Sequence, residues 1–208
     1  MQTDKIVIDS KGRGREAALQ EAEKFAAYNG LDRKGTLRLR LLAEEALGML
    51  GAITDRFQGE FWMESASGNV CKLHMMIKTE MDYEKRKELI DASTNKKNAA
   101  YVGIMGKIRE FIEASAYADA TQRDESWQDV NRLEFFTMGM LDAQAAPGSP
   151  INTGGYVWSM DQYKTSVRKE KNEDAWDELE KSIIANLADE VRVSVKGNKA
   201  ELVIEKSL

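Results

Sequence analysis

The closing stretch "VRVSVKGNKAELVIEK" (191–206) alternates apolar and polar residues on both sides of Gly197-Asn198, the pattern of two antiparallel strands joined by a tight turn. A lone hairpin is at best marginally stable in water, so this ending needs more strands and a helical layer over its apolar face. The rest of the chain supplies candidates for both. "EFWMES" (60–65) and "NVCKLHMMIKT" (69–79) are strand-like runs that meet around Ser67-Gly68-Asn69 and read as a second hairpin. In the later run Cys71, Leu73, Met75 and Ile77 share one face, while Lys72, His74 and Lys78 share the other, which is therefore partly exposed. "KIVIDS" (5–10) adds a short strand.

Helical periodicity fills the spaces between. A turn at "KGRG" opens a helix from about Arg15 to Asn29, which Gly30 closes from the C′ position. Asp32 or Thr36 caps a second helix that ends near Phe57. Within it, "LRLRLLAEEALGML" (37–50) places Leu39, Leu42, Ala43, Ala46, Leu50 and Ile53 on one stripe. Glu44 then points to solvent, and Glu45 lies at the stripe's edge between Leu41 and Met49. "EDAWDELEKSIIANLADE" (173–190) aligns Trp176, Leu179, Ile183, Ile184 and Leu187 along one helical side. The centre of the chain carries helical segments at about 83–92, 101–117 and 127–142, and "AAPGSPINTGG" is its most loop-like stretch. The expected architecture is a single α+β domain over 1–208. It is a two-layer sandwich with helices on one face of a mixed, mostly antiparallel sheet, and a mainly helical region is inserted at about 80–172.

Thirty basic residues against thirty-five acidic give a formal charge of −5, so no whole-chain field favours nucleic acid or an anionic membrane. One cysteine, Cys71, excludes an internal disulfide and a cysteine metal cluster, and one histidine, His74, cannot supply a multi-histidine site; no metal is assigned. No apolar run approaches the roughly 20 residues of a membrane span, and "MQTDKIVIDSKGRG" lacks a signal-peptide core. The expectation is a cytoplasmic protein that binds neither nucleic acid nor membrane.

The order of elements, with "LRLRLLAEEALGML" on the second helix and "IIANLADEVRVSVKGNKAELVIEK" at the end, resembles the GHKL (histidine kinase-like) ATPase family, in particular its anti-sigma-factor serine kinase branch. The resemblance covers about residues 3–79 and 173–206. It implies that Glu45 matches the family's catalytic base and that ATP with magnesium would be the cofactor pair. The family's magnesium-binding asparagine, four residues further on, is Met49 here, a thioether that makes a poor ligand for a hard cation. The Asp-x-Gly-x-Gly adenine box falls on "IKTEMDYEKRK", where Asp82 is available without a nearby glycine. For the phosphate box, "GIMGKIREF" (103–111) offers Gly103, Gly106 and Lys107, and "EDAWDELEKS" offers position without glycine.

The residues themselves admit plainer roles. Adjacent carboxylates in a helix point about 100° apart, so Glu44 and Glu45 cannot form an acid/base pair. Glu45 is either a solvated edge or the rim of a pocket. Gly103 and Gly106 serve either a phosphate or close helix packing, since the P-loop spacing and hydroxyl are absent. "KGRGR" (11–15) is either an anion cradle or a turn, and "STNKKN" (93–98), ending in Asn98, is either a contact for a polar ligand or a capped loop. Tyr156, Trp158 and Tyr163 in "NTGGYVWSMDQY" either anchor a partner or fold onto the insertion's own core. Two functions follow. One is a regulatory protein on a degenerate GHKL scaffold, anti-sigma-factor-like, with a protein partner and weak or no ATP binding. The other is an active ATPase or serine kinase with Glu45 as base.

Overall fold

The computed structural model describes residues 1–54, 56–66, 70–79, 104, 106–109, 111, 112, 115, 156–196 and 198–208. The chain runs through β1 (Ile6–Asp9), α1 (Arg15–Tyr28), α2 (Arg33–Ile53), β2 (Phe57–Ala66) and β3 (Val70–Thr79). It continues through β4 (Tyr156–Ser159), α3 (Met160–Glu170), α4 (Glu173–Lys181), α5 (Ile183–Leu187), β5 (Glu190–Lys196) and β6 (Lys199–Ser207). The described residues between 104 and 115 are helical as well.

The strands form one sheet in the order β1-β2-β3-β6-β5-β4. The α+β architecture is as expected, but the described strands pair antiparallel throughout, so the sheet is not mixed. The connection from β1 to β2 shows why. Two ion pairs, Arg15 to Glu44 at 3.6 Å and Arg40 to Glu23 at 2.6 Å, mark α1 and α2 as an antiparallel helix pair. Two such helices return the chain to the end where β1 finished, so β2 must run the opposite way.

Local signals set the helix ends. Gly14 takes φ 77° ahead of α1, and a Cβ there would overlap the Val7 carbonyl oxygen, so only glycine fits the turn. At the other end Gly30 has φ 71°, with Gly30 N–H on the Ala27 carbonyl and Leu31 N–H on that of Ala26. This is the Schellman arrangement that satisfies the last carbonyls of a helix. Asp32 caps α2 by accepting from the Gly35 N–H at 2.7 Å.

One face of the sheet supplies Ile8, Phe61, Met63, Leu73, Met75, Val191, Val193, Leu202 and Ile204 to the core. Phe25 of α1, Leu42 and Leu50 of α2, Met160 and Val167 of α3, and Ile184 of α5 join the same cluster, as do Ile104, Ile108, Phe111 and Ile112. Each such side chain contributes about 1.5–3 kcal/mol when fully buried.

Two departures from the sequence expectation lie in the second half. The helix expected over 173–190 is two, because Ser182 adopts an extended conformation (φ −76°, ψ 120°) and caps α5 through the Ala185 N–H. The break turns Ile183 off the buried side, leaving it 41% exposed while Ile184 is buried. Residues 156–159, expected within the helical insertion, form the edge strand β4 of the main sheet. Trp158 sits opposite Val193 and 6.0 Å from Tyr163, and both rings pack on the shared core. The corner from β4 to α3 is fixed by Glu190, whose carboxylate accepts from the backbone N–H groups of Met160 at 3.0 Å and Val191 at 2.8 Å. The second helix also ends earlier than expected, at Ile53, and Phe57 opens β2.

Candidate functional site

α2 presents its stripe as the spacing requires: Leu39, Leu42, Ala43, Ala46 and Leu50 are buried. Glu44 faces α1 and meets Arg15, an exposed pair worth at most about 1 kcal/mol. Glu45, about 100° further round the helix, is half-buried and has no hydrogen bond or ion pair among the described residues. One turn on, Met49 is 1% exposed and belongs to the core. The position at which the family pattern calls for a magnesium ligand is therefore filled by an apolar thioether inside the fold. Next to it stands a carboxylate that no polar group among the described residues holds.

The other predicted site residues are dispersed in what the structure describes. Gly106 is buried and helical, Lys107 is exposed and helical, and Ile104, Ile108, Phe111 and Ile112 around them point into the core. Gly106 thus lies within helical turns, and its lack of a side chain suits close packing. Asp82, Asn98 and Gly103 fall outside the described residues. "KGRGR" is a turn organised by Asp9, whose carboxylate accepts from the Lys11 and Arg13 N–H groups at 2.8 and 3.1 Å. Among the described residues no group of His, Cys, Asp and Glu side chains is arranged to hold a metal ion. No helix among them is long and apolar enough to cross a membrane.

A side-chain constellation that spacing alone did not single out lies on the sheet face pointing away from the core. Trp62 and His74 sit opposite each other and stack with ring centroids 4.8 Å apart and planes 6° from parallel. The Lys5 ammonium lies over the Trp62 ring, 4.5 Å from its centroid, a cation–π contact. The imidazole bridges two strands: Nε2 is 3.3 Å from a Glu64 oxygen and Nδ1 is 3.5 Å from a Glu201 oxygen. Neither nitrogen is aligned for a hydrogen bond, and both are shielded from solvent. The two carboxylates lie on opposite sides of the ring, which suits a strand-to-strand brace and not the convergent ligands of a metal site. The β2–β3 register, which sets Ala66 opposite Val70, fixes the Trp62–His74 pairing, so the hairpin register was the signal that could have revealed it.

Cys71, on the opposite face of β3, is buried. Burial, with the Glu64 charge adding in the same direction, pushes its thiol up to about 12, so it is a packing residue and not a nucleophile. Among the described residues two half-buried helix carboxylates, Glu45 and Glu178, have no hydrogen bond or ion pair, and of these Glu45 lies one turn from Met49. No protein-family model, characterised protein or solved structure matches this chain.

Proposed function

We propose that this chain is a regulatory, partner-binding protein on a degenerate GHKL-like scaffold, with ATP binding weakened or lost. The observation that carries this reading is the burial of Met49. An oxygen ligand for magnesium would have to replace a side chain that the core already uses, and a thioether does not substitute for it. The strand–helix–helix–strand–strand opening and the helix–strand–strand ending are in keeping with the scaffold. Fold likeness alone does not carry activity.

The test is a thermal melting scan of the full chain with ATP, ADP and GTP at millimolar concentration, with and without magnesium. A ligand at 100 times its dissociation constant adds roughly 2.7 kcal/mol. The expected result is no shift, and a magnesium-dependent shift with ATP overturns the proposal. The second reading, an active ATPase or serine kinase, draws on Glu45 being half-buried and without a hydrogen bond or ion pair among the described residues, an environment that suits a general base. Turnover by the wild type that disappears in Glu45→Gln would establish it.

A further inference from the structure

On the sheet face that points away from the core, charges are matched from strand to strand: Lys5 with Glu60 at 2.9 Å, and Lys72 and Arg192 with Glu205 at 3.3 and 3.5 Å. The row at one end of that face breaks the pattern. Lys78 on β3 is directly opposite Lys199 on β6, and Lys199 is directly opposite Lys196 on β5. All three are exposed, and none has an ion-pair or hydrogen-bond partner among the described residues. Directly opposed residues in such a ladder have Cβ atoms about 4.5–5.5 Å apart, and like charges there repel. Three neighbouring strands thus present three ammonium groups across roughly 10 Å.

The same end of the sheet carries more positive charge. Arg56 immediately precedes β2, and Lys11 and Arg13 lie in the turn after β1, which is held against β2 by a Ser10 N–H to Phe57 carbonyl bond of 3.1 Å. The acid in this row is Asp9, two strands away from Lys78 across Gln58, with a carboxylate oxygen already taken by two backbone N–H groups. A lysine row without ion-pair partners among the described residues, beside strands on which Lys5, Lys72 and Arg192 are each paired, concentrates like charge at a cost in repulsion; the next acid along this face of β6, Glu201, is turned to His74.

We propose that the lysine row Lys78–Lys199–Lys196 docks a short acidic segment of a protein partner. A segment with two or three carboxylates supplies, over the distance the row spans, the charges that the described residues do not provide. The formal charge of −5 for the whole chain works against a long polyanion. Nucleic acid or an anionic bilayer extends well beyond the roughly 8 Å Debye length, out of the row's reach and into repulsion from the rest of the surface. This inference deepens the partner-binding function and rests on it.

The probe is a fluorescein-labelled hexaglutamate peptide, titrated against the full chain by fluorescence anisotropy at about 0.15 M salt. A labelled single-stranded oligonucleotide and phosphatidylserine vesicles serve as rival anions. The expected result is saturable peptide binding that falls tenfold or more in the triple variant K78Q/K196Q/K199Q and persists in the control triple K34Q/K169Q/K181Q. Because the substitutions relieve repulsion, the first triple should melt no lower than the wild type; if it does melt lower, the single variant K199Q makes the same comparison. Absence of saturable peptide binding, equal loss in both triples, or tighter binding of the oligonucleotide or vesicles overturns the proposal. The nucleotide scan reads a different place on the fold. A nucleotide shift with peptide binding intact therefore removes the degenerate-site reading alone, and no peptide binding with no nucleotide shift removes the docking surface alone.

Discussion

Met49→Asn puts on α2 the amide that the proposed GHKL-like reading would require four residues after Glu45, and its cost measures whether that position belongs to a site. Met49 is 1% exposed in the core. Losing its burial costs about 1.5–3 kcal/mol, and leaving an unpaired amide among apolar neighbours costs about 1–3 kcal/mol more. The sum is roughly 2.5–6 kcal/mol. For a chain of this length each kcal/mol moves the midpoint by roughly 2–4 °C, so melting should fall by about 10 °C. Met49→Leu keeps the volume and should cost less than about 1.5 kcal/mol. The assay is thermal and urea denaturation of both variants, with and without magnesium and ATP. A Met49→Asn midpoint within about 2 °C of the wild type, or one that magnesium and ATP restore, would refute the reasoning, because the position would then be open to solvent or to ligand.

Glu190→Ala should cost about 1–3 kcal/mol in urea denaturation by leaving the Met160 and Val191 N–H groups without their acceptor; Glu190→Gln keeps an acceptor oxygen and should cost less, and equal losses would show that charge and not hydrogen bonding is the cause. Cys71 should resist Ellman's reagent in the native protein and react fully in denaturant, since burial, together with the Glu64 charge, pushes its thiol up to about 12; rapid native labelling would contradict its burial. Asp189 should contribute to acid stability: burial pushes its carboxyl up, but hydrogen bonds from Lys206 Nζ and the Ser207 N–H outweigh that and hold it below its ordinary 3.8. A depressed carboxyl stabilises the fold above the ordinary value and loses that contribution as pH falls through the lower folded value, so Asp189→Asn should flatten the loss of stability below pH 3.8, and an unchanged acid limb would count against it.

The parts of the fold that the sequence made legible are those set by local spacing. The α2 stripe, the Gly30 terminus and the Asp32 cap each depend on residues within a few positions of one another, and each forms as expected. The register of a short hairpin is local too: the β2–β3 and β5–β6 ladders, each between strands adjacent in sequence, pair Trp62 with His74 and Lys196 with Lys199. What could not be read is how the two hairpins meet. Only the β3–β6 pairing sets Lys78 beside Lys199 and brings Glu201 to His74, and no periodicity encodes a contact between distant segments. β4 escaped notice because a four-residue edge strand next to glycines carries little alternation. Glu45 at the stripe's edge was legible, and so was the chemistry of Met49, whereas the near-complete burial of Met49 depends on neighbours that the helical wheel does not contain.

The β3–β6 ladder also governs how this protein is made. Its register begins at Val70 opposite Ser207 and ends at Lys78 opposite Lys199, so every pair joins positions more than 120 residues apart. A ribosome releasing the chain from its N-terminus has β1, α1, α2, β2 and β3 outside long before β6 exists. Through that interval β3 is an edge, with Leu73, Met75 and Ile77 on its apolar face and an unpaired row of backbone groups that invites other chains. Closing such non-local pairs is slow because the loop entropy must be overcome before any contact offsets it. Truncation of the last nine residues would therefore remove more than an end of the molecule. It would leave the middle of the sheet as an adhesive border, and the expected product is an aggregate instead of a smaller soluble domain.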